Sequence, residues 1–173
     1  FAAHAGLHEG LAAYDKAQYA TALEQLTPLA EKGNAKAQYR LGKMFNLGQG
    51  LPPDKKEAAK WFHLAAQQGL AEAQGALGYL CLVGEGVSQN SDLALEWTRK
   101  AAEQGDATAQ FNLGMMHSEK FGIQKNPAES LKWLRKAADQ RHVQAMGALG
   151  TLYEEGQAGV KRNPVFAHML FNA

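Results

Sequence analysis

Residues 73–102 read AQGALGYLCLVGEGVSQNSDLALEWTRKAA, and the same pattern recurs along the chain at a fixed step of 36 residues. Self-similarity at a fixed period is typical of repeat architectures, in which each unit buries its apolar face only against its neighbours. The step is carried by Leu77-Gly78, Trp97 and Ala101-Ala102, which all recur in register. The recurring glycines are Gly42, Gly78, Gly114 and Gly150. The chain is therefore predicted to be an array of similar units.

Each repeat is predicted to contain two α-helices. In the first repeat, apolar or small residues within 37–45 recur at helical spacing, and the glycine-rich turn at 48–53 ends that helix. Asp54 is placed to cap the second helix, and Gly69 is placed to end it. A glycine in mid-helix, such as Gly42, costs about 1 kcal/mol relative to alanine. Its recurrence indicates that the two helices approach too closely for a side chain.

The repeats resemble Sel1-like repeats, a branch of the tetratricopeptide superfamily, from about residue 33 to the end. The resemblance implies an all-α fold, a right-handed superhelix (solenoid) of helical hairpins. It also implies a role as an adaptor or scaffold rather than as an enzyme, and bacterial members are often exported for envelope assembly, host contact or effector neutralisation. It rests on Ala73-Gln74 with Leu77-Gly78-Tyr79, on Gly84-Glu85-Gly86-Val87, and on Ala94-Leu95-Glu96-Trp97 with Lys100-Ala101-Ala102.

The predicted units are an N-terminal tetratricopeptide-like hairpin over 1–32, three Sel1-like repeats over 33–68, 69–104 and 105–140, and a partial fourth repeat over 141–173. The fourth repeat departs from the pattern. It carries one extra residue in the turn 156–159, and Leu170 stands where tryptophan is expected.

Composition excludes some partners and favours others. Eighteen basic and 17 acidic residues leave a net charge of +1, which gives no global attraction to nucleic acid. No apolar run approaches the roughly 20 residues that cross a membrane, so no membrane insertion is expected. Ala3-His4-Ala5 fits the end of a signal peptide, which predicts export with that peptide removed. Together with the resemblance to bacterial Sel1-like proteins, it implies a bacterial periplasmic or secreted protein. The alternatives are an alanine-rich helix start and a tag remnant.

A partner-binding groove is predicted on the first helices, which line the concave surface of tetratricopeptide-like arrays. If the face with Leu41, Gly42 and Phe45 is buried, other side chains point into this groove. They vary between repeats while the packing positions stay constant, and their apolar centre and charged ends suit a peptide or protein partner. Alternatively, some pack between neighbouring first helices. The predicted set is Lys36, Tyr39, Lys43, Tyr79, Leu82, Val83, Phe111, Met115, Glu119, Thr151, Glu154 and Glu155.

No catalytic residue, metal or cofactor is predicted, and a hydrolase-type enzyme is a remote alternative. His4 and His8 have the spacing of a helical metal pair but lack a third ligand. His117 occupies the position held by Phe45 and Cys81 in other repeats, which favours a buried packing role. Equivalent positions of adjacent repeats lie about one helix spacing, roughly 10 Å, apart, so Cys81 and His117 are too distant to act as nucleophile and base.

A second hypothesis is a structural module that associates with itself. The last predicted helix is strongly apolar and lacks the polar outer face that normally closes a solenoid. Its apolar residues are Phe166, Met169, Leu170 and Phe171.

Overall fold

The computed structural model describes residues 2–118 and 124–172, and the side chains of residues 2–5 are outside that description. The described residues form ten helices and no strand, and none of these helices is long and apolar enough to cross a membrane. The helices are α1 (Ala2–Asp15), α2 (Tyr19–Glu31), α3 (Ala35–Leu47), α4 (Lys55–Gln67), α5 (Ala71–Val83), α6 (Ser91–Glu103), α7 (Ala107–Ser118), α8 (Pro127–Asp139), α9 (Val143–Glu155) and α10 (Pro164–Phe171).

The chain divides into two compact units, Phe1–Asn90 and Ser91–Ala173. In the first unit α1 pairs with α2, α3 pairs with α4, and successive helices also pack across α2–α3 and α4–α5. In the second unit α7 pairs with α8, α9 pairs with α10, and contacts across α6–α7 and α8–α9 continue the pattern. The predicted all-α fold of packed helix pairs is confirmed.

Capping side chains begin the second helices, as predicted for Asp54. The Asp54 carboxylate accepts from the backbone N–H groups of Lys56 at 2.8 Å and Glu57 at 3.1 Å. Asn126 and Asn163 cap α8 and α10 in the same way. These side chains satisfy N–H groups that have no partner within the helix, so they fix where each second helix starts.

The mid-helix glycines mark close contact between the two helices of a hairpin, as predicted. A Cβ atom on Gly42 would lie 2.7 Å from the Phe62 ring, and one on Gly114 would lie 2.7 Å from Leu134 Cγ. Real Cβ atoms do not approach other carbons so closely. A side chain at either position would require the facing Phe62 or Leu134 side chain, or the helix that carries it, to shift.

Buried glutamines join successive helices, and the sequence interpretation did not foresee them. Gln38 Nε2 donates to the Ala30 carbonyl at 3.0 Å, and Gln110 Nε2 donates to the Ala102 carbonyl at 3.1 Å. Gln74 makes the equivalent bond, to Ala66. Each of these carbonyls lies near the end of the preceding helix and accepts a backbone N–H from the glycine three residues further on, and the glutamine amide supplies its second hydrogen bond. The signal was the Ala-Gln pair that recurs at the 36-residue step.

Candidate partner-binding surface

In the first unit, α3 presents basic and aromatic side chains of the predicted set. Lys36 is exposed, and Lys43 is half-buried with its Nζ 5.9 Å from the centre of the Tyr39 ring. Tyr39 is itself half-buried, because its ring tilts against Phe62 with 5.7 Å between ring centres. Lys36 and Lys43 therefore supply positive charge, while Tyr39 belongs partly to the hairpin core.

Helix α1 adds residues that the sequence interpretation missed. The Lys43 ammonium lies 5.5 Å from the centre of the Tyr14 ring, and the Arg40 guanidinium lies 4.7 Å from the same centre. The Tyr14 hydroxyl donates to Gln49 Oε1 at 2.9 Å, which holds the ring in place. The result is a basic cluster on a fixed aromatic ring. The sequence signal for it was an aromatic residue, Tyr14, near the end of the first helix.

The apolar part of the surface in the first unit lies at the ends of α3 and α5. Tyr79 is 51% exposed and Val83 is 41% exposed, whereas Leu82 is half-buried. Leu47 occupies on α3 the position that Val83 occupies on α5, and it is 57% exposed. Exposed apolar side chains at equivalent positions of two first helices suit a partner with apolar anchors. The first-helix surface is defined here as Lys36, Lys43, Leu47, Tyr79 and Val83.

In the second unit, Phe111 and Met115 have packing roles. Both are half-buried against the apolar cluster of α8 and α9, which includes Leu134 and Leu149. Phe111 also stacks on the His142 ring, with 5.0 Å between ring centres. At these two positions the structure shows the alternative considered above, in which side chains of one first helix pack against the next.

The acidic residues of the predicted set lie near the end of α9. Thr151, Glu154 and Glu155 are exposed, and the Thr151 hydroxyl donates to the Gly147 carbonyl at 3.2 Å. Glu155 accepts a hydrogen bond from the side chain of Gln157. Glu119 lies outside the described residues.

Cys81 and His117, the candidate nucleophile and base, are both buried. Within the described part of the chain, no three His, Cys, Asp or Glu side chains cluster as metal ligands would. Burial raises the pKa of the Cys81 thiol, which disfavours the nucleophilic thiolate. His117 is 7% exposed, so its predicted burial is confirmed. Neither of its ring nitrogens has a hydrogen-bond partner among the described residues.

With the helix pairs and their glycine contacts established, the chain can be compared with known families. The Sel1 repeat family model matches four consecutive stretches, residues 35–70, 71–106, 107–142 and 143–173. The chain belongs to the Sel1 repeat family. Sel1 repeats generally serve as protein-interaction scaffolds. Their fold is a solenoid related to that of tetratricopeptide repeats, so the predicted fold class is confirmed.

Solved Sel1 structures resemble this chain closely. A Sel1 repeat protein from Oxalobacter formigenes is 34% identical with a TM-score of 0.85, and the match covers 95% of this chain and 65% of that one. A protective antigen present in uropathogenic Escherichia coli strains is 36% identical with a TM-score of 0.80, and the match covers 89% of this chain and 33% of that one. This Sel1 repeat chain thus spans about two thirds and one third of those proteins.

More distant structures share the fold alone. An immunity protein from Pseudomonas aeruginosa is 17% identical with a TM-score of 0.50, and the match covers 87% of this chain and 72% of that one. A comparison with curated protein sequences finds no match.

Proposed function

We propose that this Sel1 repeat protein is a non-enzymatic adaptor that binds a protein or peptide partner on the first-helix surface of its first unit. The proposal rests on the difference in solvent exposure between apolar residues on the same helices. Leu41 and Leu77 are buried at 2% and 3% exposure, whereas Leu47 and Tyr79 are more than half exposed. Solvent-exposed leucine, tyrosine and valine flanked by lysines suit a partner that offers apolar anchors and acidic groups.

Replacing Tyr79 with aspartate is expected to weaken partner binding about tenfold or more, because an exposed aromatic anchor is lost and a charge is placed against apolar groups. The partner is first isolated by crosslinking in cells of the source organism. The dissociation constant of the purified pair is then measured for wild type and variant by isothermal titration calorimetry.

A matched control is available on a second helix. Leu64 of α4 is 36% exposed, so Leu64→Asp makes a similar change away from the first-helix surface. The proposal requires that Leu64→Asp bind as wild type does and that both variants keep their helical circular dichroism. Equal binding by Tyr79→Asp and wild type would remove this surface as the site.

Self-association through α10 is a second candidate function. Four large apolar side chains of this eight-residue helix are exposed, namely Val165, Phe166, Met169 and Phe171. Two copies that covered these residues would bury apolar area that water now contacts. Sedimentation velocity over a wide concentration range distinguishes the candidates. A dimer that Met169→Glu abolishes supports self-association, and a concentration-independent monomer rules it out.

Export to the periplasm or outside the cell is proposed together with the adaptor role. The support is the small-residue pattern at residues 3–5 and the resemblance to a protein described as a protective antigen. Cell fractionation with an antibody against this chain tests the location. Recovery in the cytoplasmic fraction alone would contradict it.

A further inference from the structure

The second unit contains a cavity of about 240 Å³ between α8, α9 and α10. Met146, Leu149 and Leu170 form its apolar lining, and the carboxylate-bearing Asp139 and the cationic Arg135 also border it. Both charged residues are exposed, so the cavity opens to solvent at a polar edge.

The cavity lies where other hairpins hold a tryptophan. Asn163 caps α10 as Asn126 caps α8, and with the one-residue insertion in the preceding turn Leu170 takes the place of Trp133. Trp133 is 3% exposed and packs against Ala101, Ala102, Ala109 and Leu113. Leu170 packs against the equivalent Ala137, Ala145 and Leu149. Since the leucine side chain is smaller than that of tryptophan and lacks its aromatic ring system, this position leaves space unfilled.

A second substitution makes the lining more apolar. Met146 occupies the position of Gln110, whose amide donates to the Ala102 carbonyl of the preceding helix, α6. Methionine offers no such amide, and its polarizable sulfur makes favourable contacts with aromatic rings. The fourth repeat therefore differs from the others at two positions that both border this cavity.

We infer that this cavity binds the side chain of a tryptophan supplied by a protein partner. An apolar cavity of about 150 Å³ already accommodates benzene, so the volume suffices for an indole. Tyr153 and Phe166, which also line the cavity, stand edge to face with 4.8 Å between ring centres. Aromatic walls of this kind pair well with an inserted ring.

The polar edge of the cavity favours an aromatic ring that carries a hydrogen-bond donor. The Trp133 indole N–H donates to the Glu129 carboxylate at 2.9 Å in its own hairpin. The Asp139 carboxylate can accept from an inserted indole in the same manner. Arg135 donates to the Tyr153 hydroxyl at 2.6 Å, which fixes this wall of the cavity. The site lies in the second unit and is independent of the proposed first-helix surface.

N-acetyltryptophanamide tests the site directly. Titrated into the full chain with ¹³C-labelled methionine methyl groups, it is expected to shift the Met146 signal saturably with a dissociation constant of about 1 mM. N-acetylleucinamide should bind about fivefold more weakly or worse, because it leaves aromatic contacts and the Asp139 acceptor unused. Equal binding of the two probes, or no saturable shift of Met146, would overturn the inference.

Two variants complete the test. Leu170→Trp restores the missing side chain and should weaken N-acetyltryptophanamide binding about tenfold or more without lowering the melting temperature. Asp139→Ala removes the proposed acceptor and should weaken binding about threefold or more. If Leu170→Trp loses its helical circular dichroism, Leu170→Phe replaces it, since phenylalanine also puts an aromatic ring at this position and keeps the Met146 reporter. The assignment is contradicted if a folded variant with an aromatic residue at position 170, or Asp139→Ala, binds N-acetyltryptophanamide with wild-type affinity.

Discussion

Replacing Trp133 with alanine is expected to destabilise the second unit by about 3–5 kcal/mol, the range typical of large aromatic truncations in a core. The side chain is 3% exposed and joins α8 to the buried residues of α6 and α7. Its removal would also leave the Glu129 carboxylate without the indole donor. Most of the loss comes from the cavity, because the surrounding alanines cannot fill it.

Urea unfolding followed by circular dichroism measures this effect. Val143→Ala is the matched control, because Val143 is 78% exposed and its truncation should change the free energy of unfolding by no more than about 0.5 kcal/mol. A Trp133→Ala variant as stable as the control would show that the indole is not the contact that joins these helices.

Replacing Gly86 with alanine is expected to destabilise the first unit by about 2–5 kcal/mol, the sum of a left-handed backbone cost and an overpacking cost. Gly86 has a φ of +73°, and a Cβ atom there would overlap the backbone carbonyl of Lys55. A backbone carbonyl cannot rotate away as a side chain can. The turn would therefore have to lift from the start of α4.

Gly69→Ala separates the two costs. Gly69 has a φ of +87° and nothing within 4 Å of its Cβ position, so its substitution carries the backbone cost alone, about 1–2 kcal/mol. The difference between the two urea midpoints then reports the contact with Lys55. Equal losses in the two variants would mean that the turn does not press on α4.

The 36-residue step was sufficient to predict how the two helices of a hairpin such as α3–α4 pack together. A glycine that recurs at a costly mid-helix position has few physical explanations, and the close approach of Gly42 to Phe62 is the one observed. Capping by Asp54 and Asn126 was predictable for a similar reason, since few residue types satisfy free N–H groups at a helix start. These features depend on contacts within one hairpin, which a local pattern encodes.

Contacts between successive helix pairs were harder to predict. Helical periodicity shows that Phe111 and Met115 point away from Leu113, but it does not show that α9 lies close enough to cover them. Glutamine is mostly exposed in folded proteins, so Gln38 and Gln110 would be expected on the surface. Both are buried, because each donates a hydrogen bond to a carbonyl of the preceding helix.

The cavity beside Leu170 could also not be predicted from the sequence pattern. The departure from tryptophan was visible, but its consequence depends on whether neighbouring side chains close the gap. Met146 and Leu149 do not close it. The volume of a cavity left by a smaller side chain depends on how far the surrounding helices move together. A repeat pattern gives no information on that movement.

Site-specific photocrosslinking distinguishes a partner bound on the first-helix surface from one bound elsewhere on the chain. A benzophenone amino acid is placed at Tyr79, or at Leu64 as the matched position on a second helix, and the chain is irradiated in its native cells. Mass spectrometry then identifies crosslinked proteins. We predict one partner that crosslinks from position 79 and not from position 64. Crosslinking of that partner from position 64 alone, or from both positions equally, would contradict the assignment of binding to the first helices.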